Sequence, residues 1–440
     1  MTDTATLTRP AGTAAAVAPR LLPAGQGTAR LAGHAGLHGR PPYRGARERL
    51  IGEIDAAGLT GRGGAAFPTG KKMAAVAARY RLGRMRPVVV GNGSEGEPAS
   101  SKDKHLLWLS PHLVLDGLQL AAEAVGARRA FLYVHRNDRL HGRLWEAIAE
   151  RSAADWDRVA IRLVTAPPRF IAGEESALAN RVGGGLALPT FRPPRTFERG
   201  VGGAPTLVQN VETLAHIALI ARYGAAWFRQ AGTHAEPGTM LTTCHRADGT
   251  VEVAEVEIGT PLAELLGLHA APAQAVLTGG YHGTWIPEAD AAVAPLANAA
   301  LRPIGAAVGA GVLAALPRDR CGLAETAHVV SYLAAESAGQ CGPCLAGLPR
   351  IADALTQLSL PYPDTRILGH LERWTGLVEG RGACKHPDGT VRFVRSALKV
   401  FVDEITRHRQ GWCTAGDATR MREPFLPVPA GRPLYRDDWS

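Results

Sequence analysis

The chain has 440 residues, a hydrophobic content of 46%, a charged content of 20% and a formal net charge of +9. This length predicts two to four domains with their own cores, and the composition is ordinary for a globular protein. No run of 18 apolar residues occurs, so we expect no membrane span. The arginines are scattered and do not alternate with aromatic residues. The charge therefore favours an acidic protein partner or an anionic cofactor over nucleic acid.

The first 30 residues are rich in alanine, threonine, glycine and proline, and they lack the basic start and long apolar run of a signal peptide. We therefore predict a disordered leader at residues 1–30 and a cytoplasmic location. The cysteines of such a chain are expected to be reduced thiols that serve metal binding or catalysis. They are Cys244, Cys321, Cys341, Cys344, Cys384 and Cys413.

Short apolar strands alternate with helical patterns from residue 47 to about residue 180. Periodicity and apolar runs predict helices at 47–57, 71–80, 111–126 and 139–153, and strands at 87–91, 130–134 and 160–164. This alternation is typical of a parallel, doubly wound α/β sheet, in which ligands bind at the carboxyl ends of the strands. A further helix is predicted from Thr206 to Tyr223.

The second half of the chain has two different patterns. From residue 238 to about 285, short runs of threonine and valine predict a small β-rich module of the β-grasp kind. Beyond about residue 320, helices are predicted near 322–337, 342–357, 364–379 and 391–409. These helices form a plausible bundle that carries cysteines. The final 30 residues show little periodicity and are predicted to form a tail.

Residues 61–72, called the glycine loop below, lead into the helix predicted at 71–80. Free backbone N–H groups and a lysine at a helix start make an anion cradle, although a tight turn without a ligand has the same pattern. Only six of the 49 basic residues are lysines. Four of these, Lys71, Lys72, Lys102 and Lys104, fall within 34 residues. The clustering indicates phosphate sites, with a solvated face as the alternative.

Two acidic segments also lie where ligands are expected. Residues 92–97, called the acidic loop below, follow a predicted strand and can bond a polyol chain or the edge of a flavin ring. A solvated acidic turn is the alternative. Glu174 and Glu175 follow Gly173 where a loop becomes a helix. They can bind a ribose or a ring N–H, or simply pair with the positive end of the helix.

Cys341 and Cys344 have CxxC spacing, and Cys384 follows forty residues later. An iron–sulfur cluster, a zinc site completed by His386, and buried inert thiols are the three hypotheses. A C-x2-C-x2-C run would need a cysteine where this chain has Ala338. An iron–sulfur site here therefore has one ligand missing or supplied from elsewhere.

Five motifs, in this order, resemble those of the NADH-oxidising flavin subunit of respiratory complex I, a family shared with NAD-reducing hydrogenases and formate dehydrogenases. Residues 61–70 resemble GRGGAGFPTG, 92–98 resemble NADEGEP, 173–178 resemble GEETAL, 205–214 resemble PTxVNNVETL and 336–344 resemble ESCGxCxPC. The resemblance covers roughly residues 45–410.

The resemblance implies a Rossmann-like parallel α/β sheet that binds FMN, a small SLBB-type β-grasp module and a C-terminal helical bundle with the iron–sulfur site. It divides the chain into a leader (1–30), an FMN/NADH-binding domain (31–235), a β-grasp module (236–300), an iron–sulfur bundle (301–412) and a tail (413–440). NAD(P)H is the implied substrate.

The site residues implied by the resemblance are those that match its motifs. Glu95 and Glu97 are predicted to take part in catalysis. Cys341, Cys344 and Cys384 are predicted to ligate iron, in a 4Fe–4S cluster or in a 3Fe–4S form. The residues predicted to contact FMN or the nucleotide are Gly61, Arg62, Gly63, Gly64, Phe67, Lys72, Asn92, Ser94, Glu95, Gly96, Glu97, Gly173, Glu174, Glu175, Gln209 and Asn210.

The chain departs from the family pattern at several of these positions. Ala338 replaces the first cluster cysteine, Ser94 an aspartate and Gln209 an asparagine. On the nucleotide side, an aromatic residue is missing near Ala75, and the family's KPPF reads Arg-Pro-Pro-Arg at 192–195. These departures weaken cluster ligation and NADH stacking and leave the flavin contacts mostly intact.

We therefore predict an oxidoreductase that transfers a hydride from NAD(P)H to FMN, and then single electrons through the cluster to a ferredoxin-like or other iron–sulfur protein, or to a membrane redox complex. Electron exchange between protein partners without NADH, and a non-catalytic scaffold subunit, are the alternatives. His386, Asp388, another cysteine or solvent would complete the cluster. Arg192 and Arg195 can pair with the pyrophosphate, or with a 2′-phosphate, which would favour NADPH.

Overall fold

The first sheet is parallel and lies at the centre of an α/β domain. The computed structural model describes residues 20–22, 29–43, 47–82, 85–191, 193–416, 423–429 and 439–440. The strands of this sheet are β1 (Val88–Gly93), β2 (Arg129–His135), β3 (Ile161–Ala166) and β4 (Thr206–Asn210). They lie in the order β3-β2-β1-β4 with parallel neighbours. Burial on both faces explains why β1 begins with consecutive valines.

Helices cover this sheet. They are α1 (Leu31–His38), α2 (Arg47–Ala57), α3 (Thr69–Arg81), α4 (Lys102–Leu109), α5 (Pro111–Val125), α6 (Asp138–Ala153), α7 (Glu175–Val182) and α8 (Val211–Phe228). Helix α5 is buried along almost its whole length and packs against α8. A Cβ at Gly117 would overlap the Leu214 carbonyl. Glycine at this position therefore sets the close approach of the two helices.

The second sheet is mixed. It contains β5 (Thr239–His245), β6 (Val251–Glu257), β7 (Ala273–Thr278), β8 (Thr284–Pro287) and β9 (Val312–Pro317). The strands lie in the order β6-β5-β9-β7-β8, in which β5 and β9 are parallel and the other neighbours are antiparallel. Three short helices, α9 (Leu262–Leu266), α10 (Glu288–Val293) and α11 (Asn298–Leu301), lie between these strands along the chain.

The last part of the chain is helical. It contains α12 (Gly322–Ala335), a π-helical turn at Pro343–Gly347, α13 (Leu348–Leu358), α14 (Ile367–Val378), α15 (His386–Val400) and α16 (Val402–Arg409). One apolar core spans these helices and the second sheet. The Trp285 ring of β8 lies in this core, 6.0 Å from the Phe393 ring and 5.4 Å from the Phe401 ring. The sheet and the helices therefore pack as one unit.

The predicted fold class is confirmed, because a parallel α/β sheet is followed by a mixed sheet and a helical region. The helix predicted from Thr206 to Tyr223 is wrong at its start, since residues 206–210 form β4. The apolar pair Leu207 and Val208 suits either structure, and pairing with β1 decides for a strand. The Asn210 side chain then accepts the Glu212 N–H and begins α8.

The module boundary at residue 300 differs from the structure, because β9 belongs to the second sheet. The sequence of β9 is a short apolar run, and the periodicity of such a run does not distinguish a strand from a buried helix. Part of the predicted disordered leader is ordered: Leu21 is fully buried, and Glu255 accepts the N–H groups of Arg20 and Leu21. Leader residues 1–19 and 23–28 lie outside the described residues.

The predicted tail is packed where the structure describes it. Leu426 and Trp439 are buried, and Glu325 of α12 accepts the Phe425 N–H at 3.0 Å. Within the described ranges, no helix combines the length and the apolar character that crossing a membrane requires.

Candidate functional site

A cavity of about 610 Å³ lies at the carboxyl ends of β1 and β4. It is lined by every residue that the sequence analysis assigned to FMN or nucleotide, from the glycine loop, the acidic loop, residues 173–175 and the end of β4. Parallel strands bring their following loops to the same edge of a sheet, which explains this convergence. Phe67 lies at this cavity with 51% of its side chain exposed.

The glycine loop closes on itself. The Gly61 N–H donates to the Phe67 carbonyl (2.9 Å), and Gly64 has a φ of +105°, a conformation that favours glycine. The Arg62 guanidinium donates to the Thr239 carbonyl at the start of β5 (3.1 Å). The Arg62 side chain therefore anchors the loop to the second sheet.

Asn92 joins two of the motifs. Its Nδ2 donates to the Gly173 carbonyl (3.0 Å), and its Oδ1 accepts from the Ser94 N–H (3.2 Å) and the Ser94 hydroxyl (2.7 Å). The protein thus uses both ends of this amide. The family pattern has an aspartate at position 94. An aspartate side chain could donate the hydrogen bond that the Ser94 hydroxyl donates to Asn92 only when it is protonated.

Glu95 and Glu174 each accept hydrogen bonds at the start of a helix. Glu95 accepts the N–H groups of Asp103 (3.1 Å) and Lys104 (3.3 Å) in the first turn of α4. Glu174 accepts the first N–H groups of α7, at 2.9 and 3.1 Å. For Glu174 this is the pairing with a helix terminus that the sequence left open. Catalysis by Glu95 stays a prediction.

Glu97 is the carboxylate of the acidic loop with an uncommitted oxygen. Its Oε2 accepts the Tyr281 N–H (2.9 Å), whereas Oε1 is buried and has no hydrogen-bond partner among the described residues. Burial raises the pKa of Glu97 to about 8, against the hydrogen bonds from the Tyr281 and Ala99 N–H groups. Glu97 is therefore protonated at neutral pH and can donate a hydrogen bond.

Gln209 and Lys72 occupy the β4 side of the cavity. Gln209 is buried, and its Nε2 donates to no residue in the described part of the chain. Lys72 donates to the Val208 carbonyl (2.7 Å) and pairs with Glu175 (2.9 Å). A buried donor without an acceptor is costly unless a ligand accepts from it. Gln209 and Glu97 therefore fit a ligand with a polar edge, such as the FMN ring.

A buried ion network adjoins the cavity. Lys102, which is 2% exposed, contacts Asp103 (2.7 Å) and Glu212 (2.8 Å). Asn210 donates to Asp103 (2.7 Å), and Glu212 accepts the Leu241 N–H (2.9 Å). Lys102 was predicted only as part of a lysine cluster, and neither carboxylate was predicted. A lysine beside an aspartate in a ligand-side loop is the signal that points to such a network.

The second sheet supplies a wall that the sequence analysis missed. His282 and residues from two glycine-containing turns, at 279–284 and 305–310, line the cavity. Gly279 and Gly309 pair across a short bridge, both with positive φ. A Cβ at Gly309 would meet the Gly279 backbone at 2.5 Å. The two consecutive glycines that directly follow β7, Gly279 and Gly280, are the sequence signal for this wall.

The helical region meets the cavity at the start of α15. Lys385 and Arg392 line the cavity, and Cys384 directly precedes Lys385. Burial raises the pKa of the Cys384 thiol, and the charge of Glu174 adds to the shift. Because Glu174 itself lines the cavity, the predicted metal cysteines adjoin it.

Cys341, Cys344 and Cys384 lie together. Burial raises the pKa of Cys344 to about 12, and the sulfurs of Cys341 and Cys384 add to the shift. The three sulfurs are not all within 4.8 Å of one another, which is wider than a single zinc ion needs. Cysteine thiolates are the ligands that the irons of a cluster take.

His386 does not suit the zinc alternative. Its Nε2 donates to the Leu333 carbonyl (2.8 Å), and its Nδ1 lies 3.1 Å from His282 Nε2, so both ring nitrogens are engaged. Asp388 pairs with Lys385 (2.9 Å) and accepts the Gly380 N–H (2.8 Å). His386 therefore cannot ligate a metal without losing one of its contacts, and Asp388 already has a cation and a backbone donor as partners.

Two family models match the chain. The Nuo51 FMN-binding domain matches residues 54–219, and the NADH-ubiquinone oxidoreductase-F iron-sulfur binding region matches residues 324–408. One F subunit of NADH-quinone oxidoreductase in Rhizobium meliloti (strain 1021) is 29% identical over 378 residues, which are 82% of this chain and 89% of the relative. The corresponding F subunit of Streptomyces coelicolor is 28% identical over 394 residues, 86% of this chain and 87% of the relative.

A solved structure gives the same result. The chain matches the NAD+-reducing NiFe hydrogenase in the H2-reduced state with a TM-score of 0.74 and 27% identity. The match covers 82% of this chain and 62% of that chain, so the present chain spans less than two thirds of the hydrogenase chain.

The fold and the matched regions define a flavoprotein that also carries an iron–sulfur centre. The chain carries the FMN-binding and iron–sulfur domains of NADH dehydrogenase flavin subunits and is similar to these subunits over about four fifths of its length, which confirms the recognition from the motifs. It is an FMN- and iron–sulfur-dependent oxidoreductase of the NADH dehydrogenase type. FMN and a 4Fe–4S cluster are the cofactors of its domains, and NADH is the substrate of the family.

Gly64→Val should lower the FMN retained per chain. A β-branched residue at a φ of +105° is strained by about 1–3 kcal/mol, so the glycine loop must move away from the cavity. We expect at least a roughly fivefold weaker FMN affinity, since about 1.4 kcal/mol is tenfold. Flavin fluorescence titration of the apoprotein measures the change.

Gly142→Val is the matched control, because Gly142 lies on α6 with no atom within 4 Å of an added Cβ. It should retain FMN. Equal flavin affinity in Gly64→Val and wild type would contradict the assignment of the glycine loop to FMN.

Glu97→Gln should remove a pH dependence of stability. The folded protein holds this proton up to about pH 8, whereas the usual pKa is 4.5. Raising the pH from 4.5 to 8 therefore ionises Glu97 more readily in the unfolded chain and lowers the stability of the fold. The variant has no carboxyl group at this position, so this loss of stability is absent. Between pH 5 and pH 9, the free energy of unfolding of the wild type should fall by a few kcal/mol relative to that of the variant, at about 1.4 kcal/mol per pKa unit.

Denaturant unfolding of the FMN-free protein at both pH values measures this gain. Glu264→Gln on α9 is the control, because Glu264 is exposed and its substitution should leave the pH profile unchanged. Parallel profiles for Glu97→Gln and wild type would show that Glu97 ionises normally.

Proposed function

We propose that the cavity holds FMN beside NAD(P)H, and that Cys341, Cys344 and Cys384 hold the cluster that carries electrons onward. The observation that carries this proposal is the junction of the two sites, where Lys385 lines the cavity and Cys384 precedes it. When bound, FMN supplies hydride acceptance and one-electron release. The chain supplies position and electrostatics.

The basic side chains of the cavity differ in whether a carboxylate already pairs with them. Lys72 is paired with Glu175, and Lys102 with two carboxylates, so neither offers an uncompensated charge. Lys385 pairs with Asp388, so we assign the phosphate of a bound nucleotide to Arg392, which lines the cavity on the bundle side. Glu97 would hold a proton beside the bound ligands.

Fewer of the predicted contacts to NAD(P)H than of those to FMN lie at the cavity. Phe67 offers an exposed aromatic face at the cavity. Among the described residues, neither Ala75 nor Arg195 lines the cavity. Arg195 is exposed, and its N–H donates to Glu198 (3.1 Å), whereas Arg192 lies outside the described residues. A preference for NADPH through Arg192 and Arg195 therefore stays a prediction.

We propose an acidic, ferredoxin-like iron–sulfur protein as the redox partner. The relatives are named as subunits of NADH-quinone oxidoreductase, which places them in larger assemblies. The net charge of +9 suits an acidic surface. A membrane redox complex as the partner and a cytoplasmic location stay predictions.

Phe67→Ala should weaken nucleotide binding while FMN is retained. Stacking is worth about 0.5–1.5 kcal/mol per aromatic pair, which corresponds to an affinity loss of about 2- to 13-fold. Anaerobic stopped-flow reduction of the flavin by NADH, and separately by NADPH, measures the dissociation constants.

Trp145→Ala is the control, because Trp145 is an exposed aromatic residue on α6 outside the cavity. Unchanged NADH affinity in Phe67→Ala would show that Phe67 does not stack on the nucleotide. No flavin reduction by either nucleotide in the wild type would favour electron exchange between protein partners.

Cys384→Ala should abolish iron binding. Because Ala338 replaces the family's first cluster cysteine, the variant would keep only the Cys341 and Cys344 thiolates. Two thiolates are too few for a cluster of three or four irons. Anaerobically purified wild type should contain about three to four irons per chain, and the variant close to none. Iron analysis and low-temperature EPR measure the loss.

Cys244→Ala is the control, since Cys244 is a buried thiol of the second sheet. It should keep the iron. A wild type that lacks iron, and whose zinc disappears in Cys384→Ala, would replace the cluster with the zinc alternative.

A further inference from the structure

Four potential metal ligands meet at the far end of the helical region. They are Cys321, which precedes α12, Glu404 and His408 on α16, and Cys413 beyond α16. All four are buried, with exposures of 5%, 3%, 0% and 8%. Their ligand atoms lie within 4.8 Å of one another, and no other group in the described part of the chain meets this criterion.

The donor set is specific. Two sulfurs, one imidazole nitrogen and one carboxylate oxygen are ligands that Zn²⁺ takes in tetrahedral sites. Glu404 and His408 are one helical turn apart, so both side chains lie on the same face of α16. The His408 Nε2 is 3.2 Å from Glu404 Oε1 and 3.6 Å from Cys321 Sγ. Ionised thiols and a carboxylate this close repel one another, and a divalent cation removes that repulsion.

The surroundings hold these groups in a ligating orientation. The Leu358 carbonyl can only accept, so His408 Nδ1 donates to it (2.9 Å) and leaves Nε2 facing the other three groups. Glu404 Oε1 accepts the Thr414 N–H (2.9 Å), and Oε2 accepts from Arg407 (3.3 Å). Partners of this kind fix the tautomer and direction of ligands around metal ions.

We propose that Cys321, Glu404, His408 and Cys413 bind one Zn²⁺ ion in a closed structural site. The ion would tie the chain after α16 to the start of α12. The site is separate from Cys341, Cys344 and Cys384, which lie beyond the other end of α12. At 1.5 Å per residue, this helix separates the two sites by about 20 Å. The zinc proposal does not depend on the proposed redox function.

The first test uses the unmodified full-length protein, purified anaerobically without chelators from zinc-supplemented culture. Elemental analysis should give about one zinc per chain in addition to the iron. X-ray absorption at the zinc edge should show two sulfurs at about 2.3 Å and two nitrogen or oxygen atoms at about 2.0–2.2 Å. This measurement does not require any variant to fold.

The second test removes single ligands. Cys413→Ala and His408→Ala should each retain less than about a tenth of the wild-type zinc. Cys244→Ala is the matched control with an intact ligand set, and Cys384→Ala should lose iron and keep the zinc. Any Cys413→Ala protein that folds and keeps FMN while losing zinc separates ligand loss from misfolding.

Several results would overturn the proposal. They are zinc near zero in the wild type, a zinc shell of four sulfurs or of none, and zinc retained in both ligand variants. A disulfide between Cys321 and Cys413, found by mass spectrometry after anaerobic alkylation, would also overturn it, as would another metal in the same four-ligand site.

Discussion

One buried cation holds the elements around the cavity together. Lys102 lies between Asp103 of α4 and Glu212 of α8, and Glu212 also accepts the Leu241 N–H of the second sheet. Burial lowers the pKa of Lys102, but the two carboxylates raise it by more, so the ammonium stays charged. Removing one partner of such a buried network costs about 3–5 kcal/mol. The network therefore fixes both sheets and the first turn of α8 relative to one another, and the cavity is the space between them.

Local signals explain what could be predicted. Apolar periodicity and glycine spacing are properties of short segments, and they were enough for β1, β2 and β3 and for the glycine and acidic loops. They were not enough for β4, which was predicted as the start of a helix. The opposite wall depends on Gly279 and Gly309, which are distant in sequence and meet only after the second sheet has formed. A sequence also shows where a carboxylate lies in the chain, but it does not show which groups donate hydrogen bonds to that carboxylate in the fold. Glu95 and Glu97 therefore looked alike, although one accepts N–H groups of α4 and the other keeps a buried oxygen without a partner among the described residues.

The departures from the family pattern on the nucleotide side fall at residues that hold no other segment of the fold in place. Asn92 and Glu174 match the pattern, and each holds neighbouring backbone in place as well as lining the cavity. Substituting either of them would disturb the fold before any ligand bound. Ala75 and Arg195, on the nucleotide side, carry no such duty, since one is a helical alanine and the other an exposed arginine. Change at such positions leaves the fold intact.

The same reasoning applies to the cluster segment that has lost a cysteine. Glu336, just before it, accepts the Phe170 N–H (2.8 Å) and lies 3.4 Å from Arg169, so the end of α12 is attached to the α/β domain. Ser337 is buried and accepts the Gly339 N–H (3.0 Å), which shapes the turn without any thiolate. The turn that carries Ala338 is therefore held by contacts that need no thiolate at that position. If Cys341, Cys344 and Cys384 ligate a cluster as proposed, the consequence of Ala338 would fall on a single iron, which would take a ligand from outside this segment or be absent.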